Sequence, residues 1–225
     1  MNGQEVFEVL QAKGILRLYH ANSVTTSCTF LRQGALVSRG YAEANRLPQT
    51  YQYTDEKDKK YNVWNDVFLD TDDYHRRISD QNKYGPVVFM MDSQILTALP
   101  SESHVLVTRS NPSDWLDSQT HDDRYFSTKQ QLLAGLSLGT MSQMLTIRTP
   151  NSLLPFGRAL IEVVLDNPQQ QLANQSDAFT SSMTNLSTAA SSGSVTAPLR
   201  SRNCNQGCKC VGTYQSKWHH LQQHF

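Results

Sequence analysis

The sequence has little that would hold a membrane or a nucleic acid by bulk properties alone. Its strongest apolar run, residues 87–91, is far too short to span a bilayer. The N-terminus has no basic region followed by an apolar one, so we expect no secretory signal. Twenty basic residues balance 20 acidic ones, which argues against a protein that binds nucleic acid mainly by net charge.

Cysteines are also few, and their positions do not suggest a disulfide framework. Cys28 stands alone near the start, and the other three, Cys204, Cys208 and Cys210, crowd the end. Secreted domains that depend on disulfides spread their cysteines over the fold. We therefore expect a cytoplasmic protein with no membrane association.

Several nucleotide-binding and catalytic motifs are missing. The sequence has no glycine-rich phosphate loop of the P-loop or Rossmann type, no Gly-x-Ser-x-Gly nucleophile turn and no His-Glu-x-x-His zinc helix. Any chemistry must therefore come from residues dispersed along the chain.

Composition divides the chain near residue 168. Hydrophobic residues make up only 38 % of the chain, and the stretch after residue 168 is rich in Gln, Ser, Thr and Ala. Such a stretch buries too little apolar surface to offset its ordering entropy. We predict a folded domain over 1–168, a linker or disordered, flexible tail over 169–203, and a Cys/His-rich C-terminal segment over 204–225.

Apolar periodicity within residues 1–168 predicts an α+β fold. A helix closed by Gly14 precedes a strand over 15–20, and a second helix follows, capped by Ser23 and ended by Gly34. Residues 40–62 are polar and predict a long functional loop. A helix is predicted over 128–138, and further strands over 84–90, 104–108, 142–147 and 159–165. Because helices and strands do not alternate regularly, a doubly wound sheet is disfavoured.

A group of polar residues stands where the first predicted strand ends and the second helix begins. Free backbone N–H groups and a positive dipole end are expected there. His20 and Asn22 are suited to hydrogen-bonding a ribose and a carboxamide at this place. Taken alone, however, the pattern favours a strand-end histidine followed by an ordinary Asn or Ser helix cap.

Sequence blocks in a fixed order resemble the DarT-like family of NAD-dependent ADP-ribosyltransferase toxins. Residues 18–23 (LYHANS), a helix and residues 34–39 (GALVSR) resemble the family's opening strand, which ends in Tyr-His, and its exit from the next helix. Residues 64–89 resemble a later strand and its lead-in. Residues 142–165 resemble the strand that carries the family's catalytic glutamate and the segment after it. The resemblance extends over residues 15–166.

The resemblance implies an ADP-ribosyltransferase-like fold, with a central mixed or antiparallel split sheet and flanking helices, and NAD as the substrate. It implies that His20 contacts the nicotinamide-side ribose and that Tyr84 stacks on nicotinamide. It also implies that Arg39 grips a cofactor phosphate or positions the acceptor. The cofactor-binding residues that it implies are Tyr19, His20, Asn22, Ser23 and Tyr84.

The family's catalytic glutamate falls at Gln143. A carboxylate stabilises the oxocarbenium character that develops on the sugar and can accept a proton, whereas an amide does neither. Three interpretations stay open. Gln143 belongs to a diverged or inactive member, or it replaces a glutamate to silence a toxic enzyme, or the carboxylate comes from Glu162 or Glu43. The second is favoured, because nothing else around Gln143 departs from the family pattern.

The resemblance also implies a nucleic-acid acceptor and protein partners. The acceptor is single-stranded DNA, as for DarT-like toxins, or RNA, as for the similar CmdT-like toxins. An antitoxin is implied, together with a SecB-like chaperone in the CmdT-like case, as part of phage defence. Tyr41, Tyr51 and Tyr53 are candidate stacking faces for unpaired bases, and the charge run 55–60 predicts only a solvated loop. The alternative is a catalytically inactive NAD- or nucleotide-binding module for interaction or sensing.

The C-terminal segment has residue types that suit zinc. The candidate ligands are Cys204, Cys208, Cys210 and His220. The step from Cys208 to Cys210 is tight for a site that uses all three thiols, so a reduced flexible end and a partner-binding tail stay open as alternatives. A second candidate metal group consists of Asp70, Asp72, Asp73 and His75, but helix capping and surface exposure explain these residues better than a metal does.

Overall fold

The computed structural model describes residues 1–77, 81, 83–137 and 143–225, with the backbone alone for residues 76 and 77. The expected α+β class is confirmed in these residues. The strands are β1 (Arg17–Asn22), β2 (Ala35–Val37), β3 (Val67–Asp70), β4 (Val87–Asp92), β5 (His104–Val107), β6 (Met144–Arg148), β7 (Leu153–Pro155), β8 (Leu160–Leu165) and β9 (Leu199–Ser201). The α-helices are α1 (Gly3–Ala12), α2 (Val24–Gln33), α3 (Arg39–Ala44), α4 (Asp55–Lys60), α5 (Tyr74–Arg77), α6 (His121–Arg124), α7 (Lys129–Gly135), α8 (Ala178–Ser192) and α9 (Cys210–Leu221).

Seven strands form the central sheet, in the order β5-β6-β3-β1-β4-β8-β9. Neighbouring strands are antiparallel, except that β8 and β9 are parallel. β2 and β7 form a separate antiparallel pair, in which Leu36 lies opposite Leu154. This mostly antiparallel, split arrangement is the expected one. The sequence did not predict β3, because four residues are too few to show a strand periodicity.

Helix α2 packs over the middle of the sheet, beside β1 and β4. Ser23 caps its start by accepting a hydrogen bond from the backbone of Thr26, and Gly34 ends it in the left-handed conformation at φ 61°. Phe30 of this helix meets the ring of Phe89 edge to face at 5.8 Å and that of His20 at 5.3 Å. These contacts hold β1, and with it the candidate histidine, against the core.

The stretch 169–203, expected to be a linker or disordered tail, instead contains α8 and β9. Asp177 caps α8 by accepting a hydrogen bond from the backbone of Thr180. The helix buries a narrow stripe of small residues around Leu186, which lets it approach α2 closely. At its end, a side chain on Gly193 would come within 1.9 Å of the Leu31 carbonyl oxygen. Composition misled the prediction because Ala and Ser carry little apolar surface and still pack well against a neighbouring helix.

The expectation of a long loop over 40–62 is also wrong, because this segment carries most of α3 and all of α4. The chain between the two helices is fixed to α2 by side-chain hydrogen bonds. The Thr50 backbone N–H donates to Oγ1 of Thr26 over 2.9 Å, and Thr29 Oγ1 donates to the Pro48 carbonyl over 2.6 Å. Polar side chains thus satisfy the backbone groups of a segment that the hydrophobic pattern left unassigned.

Among the residues that the structure describes, no helix combines the length and the apolar character required to cross a bilayer.

Candidate active site

A cleft opens where β1 ends and α2 begins, and residues from several separate segments line it. It contains about 780 Å³ of space that no atom fills, its open mouth included. Four residues singled out from the sequence line the cleft: His20, Asn22, Arg39 and Tyr84.

The imidazole of His20 is held in its neutral form. Its Nδ1 lies 2.8 Å from the Phe68 carbonyl oxygen, so Nδ1 carries the proton, because a carbonyl only accepts. Nε2 then accepts a hydrogen bond from Nδ2 of Asn22 over 3.3 Å. Burial lowers the pKa of His20 to about 4, against the smaller raising effect of the Phe68 bond. At neutral pH the cleft therefore faces an imidazole that accepts hydrogen bonds at Nε2.

Asn22 is fixed from two sides. Its Oδ1 accepts from the Ser23 backbone N–H over 2.9 Å and from Nε2 of Gln52 over 3.5 Å. On the other side Gly85 has φ 140°, and a Cβ there would lie 2.2 Å from the Asn22 carbonyl carbon. Gly85 was not among the candidate residues. Its signal in the sequence is the Tyr-Gly-Pro step that brings Tyr84 to the cleft.

Tyr19 and Ser23 lie under the cleft wall. Tyr19 is 7 % exposed and Ser23 is 1 % exposed. Besides capping α2, the Ser23 hydroxyl lies 2.7 Å from Oγ1 of Thr50, which ties the 40–62 segment to the start of the helix. These positions support the residues that line the cleft.

Arg39 stands at the start of α3, whose cap is Ser38. Its guanidinium donates to the Thr50 carbonyl over 2.8 Å and pairs with the Asp55 carboxylate. It also lies 5.5 Å from the centre of the Trp64 ring. Among the described residues, nothing hydrogen-bonds the buried Nε of Arg39 or the buried Oδ1 of Asp55. The Arg39–Asp55 ion pair is therefore held in place, although one polar atom of each side chain has no hydrogen-bond partner among the described residues.

A buried carboxyl group on α4 also lines the cleft. Asp58 is 7 % exposed and faces inward together with Asp55, whereas Glu56 and the lysines of the same helix face solvent. Burial, reinforced by the neighbouring Asp55 carboxylate, raises the pKa of Asp58 to about 7. The charge run 55–60 was predicted to be a solvated loop. The three-residue spacing of its two aspartates on one helical face is the signal that was missed.

Two further aspartates line the cleft. Asp66 is paired with Arg148, whose Nε donates to it over 2.8 Å and whose second nitrogen donates over 3.0 Å. Asp70 ends β3, opposite Tyr19 on one side and Met144 on the other. Asp66 and Asp70 thus stand at the two ends of β3, the strand that the sequence did not predict.

Tyr84 stands in a cluster of aromatic and cationic groups at the rim. Its ring meets that of Tyr74 edge to face at 5.5 Å, and the ammonium of Lys83 lies 5.1 Å from its centre. Burial is the main cause that raises the pKa of Tyr84 to about 12. The phenol therefore stays protonated at neutral pH, and its ring gives the cleft an aromatic face.

Gln143 precedes β6, next to Met144, which lines the cleft. Its side-chain oxygen accepts from the Ser137 backbone N–H over 2.8 Å, and its Nε2 donates to the Gly135 carbonyl over 3.0 Å. The amide oxygen and the amide nitrogen of Gln143 thus both bind neighbouring backbone groups. This arrangement requires a side chain that accepts one hydrogen bond and donates another. A carboxylate would repel the Gly135 carbonyl.

The two alternative glutamates lie elsewhere. Glu162 on β8 pairs with Arg200 on β9, with 3.1 Å between carboxylate oxygen and Nε. Glu43 on α3 accepts a hydrogen bond from Nε1 of Trp64 over 3.0 Å. Asp58 and Asp70 provide carboxyl groups in the cleft that neither glutamate provides.

Of the three tyrosines proposed for base stacking, two are exposed beside the cleft. Tyr51 is 69 % exposed and Tyr53 is 62 % exposed, whereas Tyr41 packs against the core. Gln52 and Thr54 alternate with them and line the cleft. The extended segment thus turns amides and hydroxyls inward and two aromatic faces outward.

The C-terminal thiols also come together, and the histidine beside them is His75, which the sequence had grouped with nearby aspartates and not with the thiols. Cys204, Cys208 and Cys210 lie with His75 in one group, and their ligand atoms are all within 4.8 Å of one another. His220, the expected fourth member, is exposed on α9. All three thiols thus lie in one group in spite of the tight Cys208–Cys210 step.

Comparisons with known proteins find likeness in structure alone. No protein-family model matches the chain, and no curated protein matches its sequence. Among solved structures, DarT of Thermus sp. 2.9 in complex with NAD+ has a TM-score of 0.50 at 11 % identity, over 84 % of this chain and 96 % of that chain. The same DarT in complex with ADP-ribosylated single-stranded DNA has a TM-score of 0.49 at 11 % identity, over 84 % of this chain and 95 % of that chain. The first of these likenesses shows that the chain has the fold of DarT.

Proposed function

We propose that the chain is an NAD-dependent ADP-ribosyltransferase and that the cleft is its active site. The convergence of His20, Asn22, Arg39 and Tyr84 on one cleft carries the proposal. The family resemblance of the sequence assigns these four residues to NAD, although they are dispersed along the chain. The fold is that of DarT, and the DarT structure with that fold was solved with NAD+.

The charges around the cleft fit the nicotinamide end of NAD. The pyridinium ring is cationic, and the attached ribose gains positive charge as its bond to the ring breaks. Asp58 and Asp70 lie at the same cleft, where carboxylates stabilise positive charge more strongly than they do in water. Arg39 is the cation among the described lining residues and is the candidate contact for the pyrophosphate.

The proposed reaction needs few groups. The bond between ribose C1′ and the nicotinamide nitrogen breaks, and neutral nicotinamide leaves with the bonding electron pair. An acceptor atom attacks C1′ and gives up a proton to a base. Asp58 is suited to be that base, because a pKa of about 7 matches proton transfer at neutral pH. His20 and Asn22 hold the ribose, and the protonated Tyr84 stacks on the nicotinamide.

In this assignment Gln143 is a positioning residue. It stands where the family resemblance expects a glutamate, and its amide holds the backbone at Gly135 and Ser137 beside the cleft. The carboxylate function falls to Asp58, with Asp70 next to it. The chain is then active with glutamine at position 143, and it needs neither Glu162 nor Glu43.

The exposed rim supports a single-stranded nucleic acid as the acceptor. Tyr51 and Tyr53 present faces on which unpaired bases stack, and Lys83 adds a positive charge among the rim tyrosines. Zero net charge predicts that stacking contributes more to binding than phosphate contacts do. We propose single-stranded DNA as the acceptor and RNA as the alternative.

Incorporation of labelled ADP-ribose tests the proposal. The purified chain is incubated with NAD labelled in its adenylate part and with single-stranded DNA, RNA or protein. We expect transfer to DNA, and a loss of at least 100-fold in Arg39→Lys and His20→Ala. Arg158→Lys is the matched control. Absence of label in every acceptor, together with no thermal stabilisation by millimolar NAD, would overturn the proposal.

The acceptor assignment has its own test. Tyr51→Ala and Tyr53→Ala should each weaken binding of an unlabelled oligonucleotide by about 5- to 100-fold, the loss expected for one stacked base. Leu16→Ala, another large exposed residue, is the control. Unchanged affinity in both tyrosine variants would remove the rim from the acceptor site and leave the reaction with NAD untouched.

One observation favours a second function, an inactive module that binds NAD or a nucleotide. Gln143 replaces the expected glutamate, and both ends of its amide are bonded to backbone. Such a module would be stabilised by NAD in a thermal melt and would label no acceptor. That pair of results separates it from the enzyme.

The family resemblance supports a role in a toxin–antitoxin or phage-defence system. An antitoxin, with or without a SecB-like chaperone, is the partner proposed on that basis. Induction of the chain from a repressible promoter should slow cell growth. The Arg39→Lys variant should allow normal growth. Normal growth with an active purified enzyme would contradict the toxin role alone.

A further inference from the structure

Four soft ligand atoms meet at one end of the sheet, in a group we call the Cys/His cluster. Its ligand atoms are Nε2 of His75 and the Sγ atoms of Cys204, Cys208 and Cys210. The imidazole nitrogen lies 3.1 Å from Sγ of Cys208 and 3.9 Å from Sγ of Cys204. Sγ of Cys204 lies 3.3 Å from Sγ of Cys210.

These separations match the edges of a small tetrahedron. Zinc bonds of about 2.3 Å to sulfur and about 2.0–2.1 Å to nitrogen place the ligand atoms of a tetrahedral site about 3.5–3.8 Å apart. The distances in the Cys/His cluster scatter around that range. Three thiols and one imidazole are a ligand set of structural zinc sites, in which the protein fills all four positions.

The chain between Cys204 and Cys210 folds back on itself, which brings the thiols together. The chain turns at Gly207, with φ 87°, and the backbone N–H of Cys208 donates to the Asn205 carbonyl over 3.1 Å. The backbone N–H of Cys210 points at Sγ of Cys208 over 3.5 Å. This contact fixes the position of Sγ of Cys208 relative to the backbone of Cys210.

A buried ion-pair network holds the two segments that provide the ligands. The Asp73 carboxylate accepts from the His75 backbone N–H over 3.1 Å and from the Arg202 guanidinium over 2.6 Å. Arg202 also pairs with Asp166, which accepts from the Tyr214 hydroxyl over 2.8 Å. Arg202 is 8 % exposed and Asp166 is 1 % exposed. Outer contacts of this kind orient the ligands of metal sites.

We propose that the Cys/His cluster binds one structural Zn²⁺ ion, which ties the C-terminal segment to helix α5. The metal joins residues 129 positions apart in the chain. Next to His75, the ring of Tyr74 packs on Tyr84 at the rim of the cleft, 5.5 Å away. The ion therefore fastens the C-terminal segment to the helix that supports one wall of the cleft.

Metal content tests the proposal directly. The full chain is prepared in reductant with added Zn²⁺, freed of loosely held ions by gel filtration and analysed for metal. We expect one zinc per chain, falling below about one fifth in Cys208→Ser and His75→Ala. Cys28→Ala, which removes a distant thiol, and His220→Ala, which removes an exposed histidine of α9, should keep the full amount.

Two measurements on the unchanged chain keep the result independent of variant folding. Co²⁺ in place of Zn²⁺ should give the visible bands of a tetrahedral site with thiolate charge-transfer bands, and Zn²⁺ should abolish them. Titration of the denatured, metal-free chain should find four thiols, the full cysteine count.

Three results would each overturn the proposal. The first is a chain without zinc and without Co²⁺ bands, and the second is equal zinc in His75→Ala, Cys208→Ser and the wild type. The third is a count of two thiols in a chain isolated without reductant, which would show that two of the four cysteines form a disulfide instead.

Discussion

The cleft and the Cys/His cluster use polar residues in opposite ways. In the cleft, Asp58 has its pKa raised to about 7 by burial and by the like charge of Asp55. Around the Cys/His cluster, Arg202 is paired with two carboxylates. The cleft holds groups in states that cost stability and suit chemistry. The cluster unites distant parts of the chain.

Removing the Asp58 charge should have the largest effect and separate the two regions most clearly. Asp58→Asn should lower the rate of transfer by about 10²–10⁴-fold, the usual contribution of a positioned base. The same change should stabilise the fold at pH 8 by about 1–3 kcal/mol. Kinetics and thermal melts measure the two effects, and exposed Glu56→Gln is the control.

The pH dependence of that gain follows from the direction of the pKa shift. The pKa of Asp58 is near its ordinary value of 3.8 in the unfolded chain and about 7 in the folded chain. The stability linked to this group is present in full below the unfolded value and is lost as pH rises through the folded one. The advantage of Asp58→Asn should therefore vanish near pH 4. An equal advantage at pH 4 and pH 8 would show that folding does not raise the pKa of Asp58.

Removing metal from the Cys/His cluster should show the reverse pattern. A chelator strong enough to take zinc should lower the thermal midpoint by about 10 °C, because structural zinc contributes several kcal/mol to folding. At temperatures where the chain stays folded, the transfer rate should change less than about threefold. A rate that falls in proportion to the metal content would place the ion in the catalytic machinery and break the contrast between the two regions.

Gly85→Ala tests how strictly the cleft depends on backbone contact. A Cβ at this position meets the Asn22 backbone, and φ 140° is unfavourable for any side chain. We expect a loss of about 3 kcal/mol in unfolding free energy together with weaker NAD binding. Gly157→Ala is the matched control, since it also has a positive φ but no atom within 4 Å. It should cost about 1 kcal/mol, and equal losses would remove the contact as the cause.

Gln143→Glu should have the smallest effect. The new carboxylate still accepts from the Ser137 backbone but loses the bond to the Gly135 carbonyl, so we expect a stability loss of about 1–2 kcal/mol. The transfer rate should change less than tenfold. A gain of 100-fold or more would instead make position 143 the seat of the catalytic carboxylate and return Asp58 to a structural role.

Signals that act within a few residues were predicted well. The cap at Ser23, the end of α2 at Gly34 and the strand that carries His20 all follow from local periodicity and capping. Helix α8 was missed because its buried stripe consists mainly of small residues, whose packing depends on how close α2 lies. Strand β3 was missed because it is short and is stabilised by β1 and β6 on either side.

By itself, then, the sequence determined the α+β class, the bounds of helix α2 and the residues at the end of β1. Only the tertiary structure decided that Asp58 faces the cleft, since its helix buries two aspartates on one side. It alone brought His75 to thiols more than a hundred positions away. Local sequence patterns specify helices and strands because those elements depend on residues a few positions apart. Contacts between distant residues depend on strand order and burial, which are properties of the whole chain.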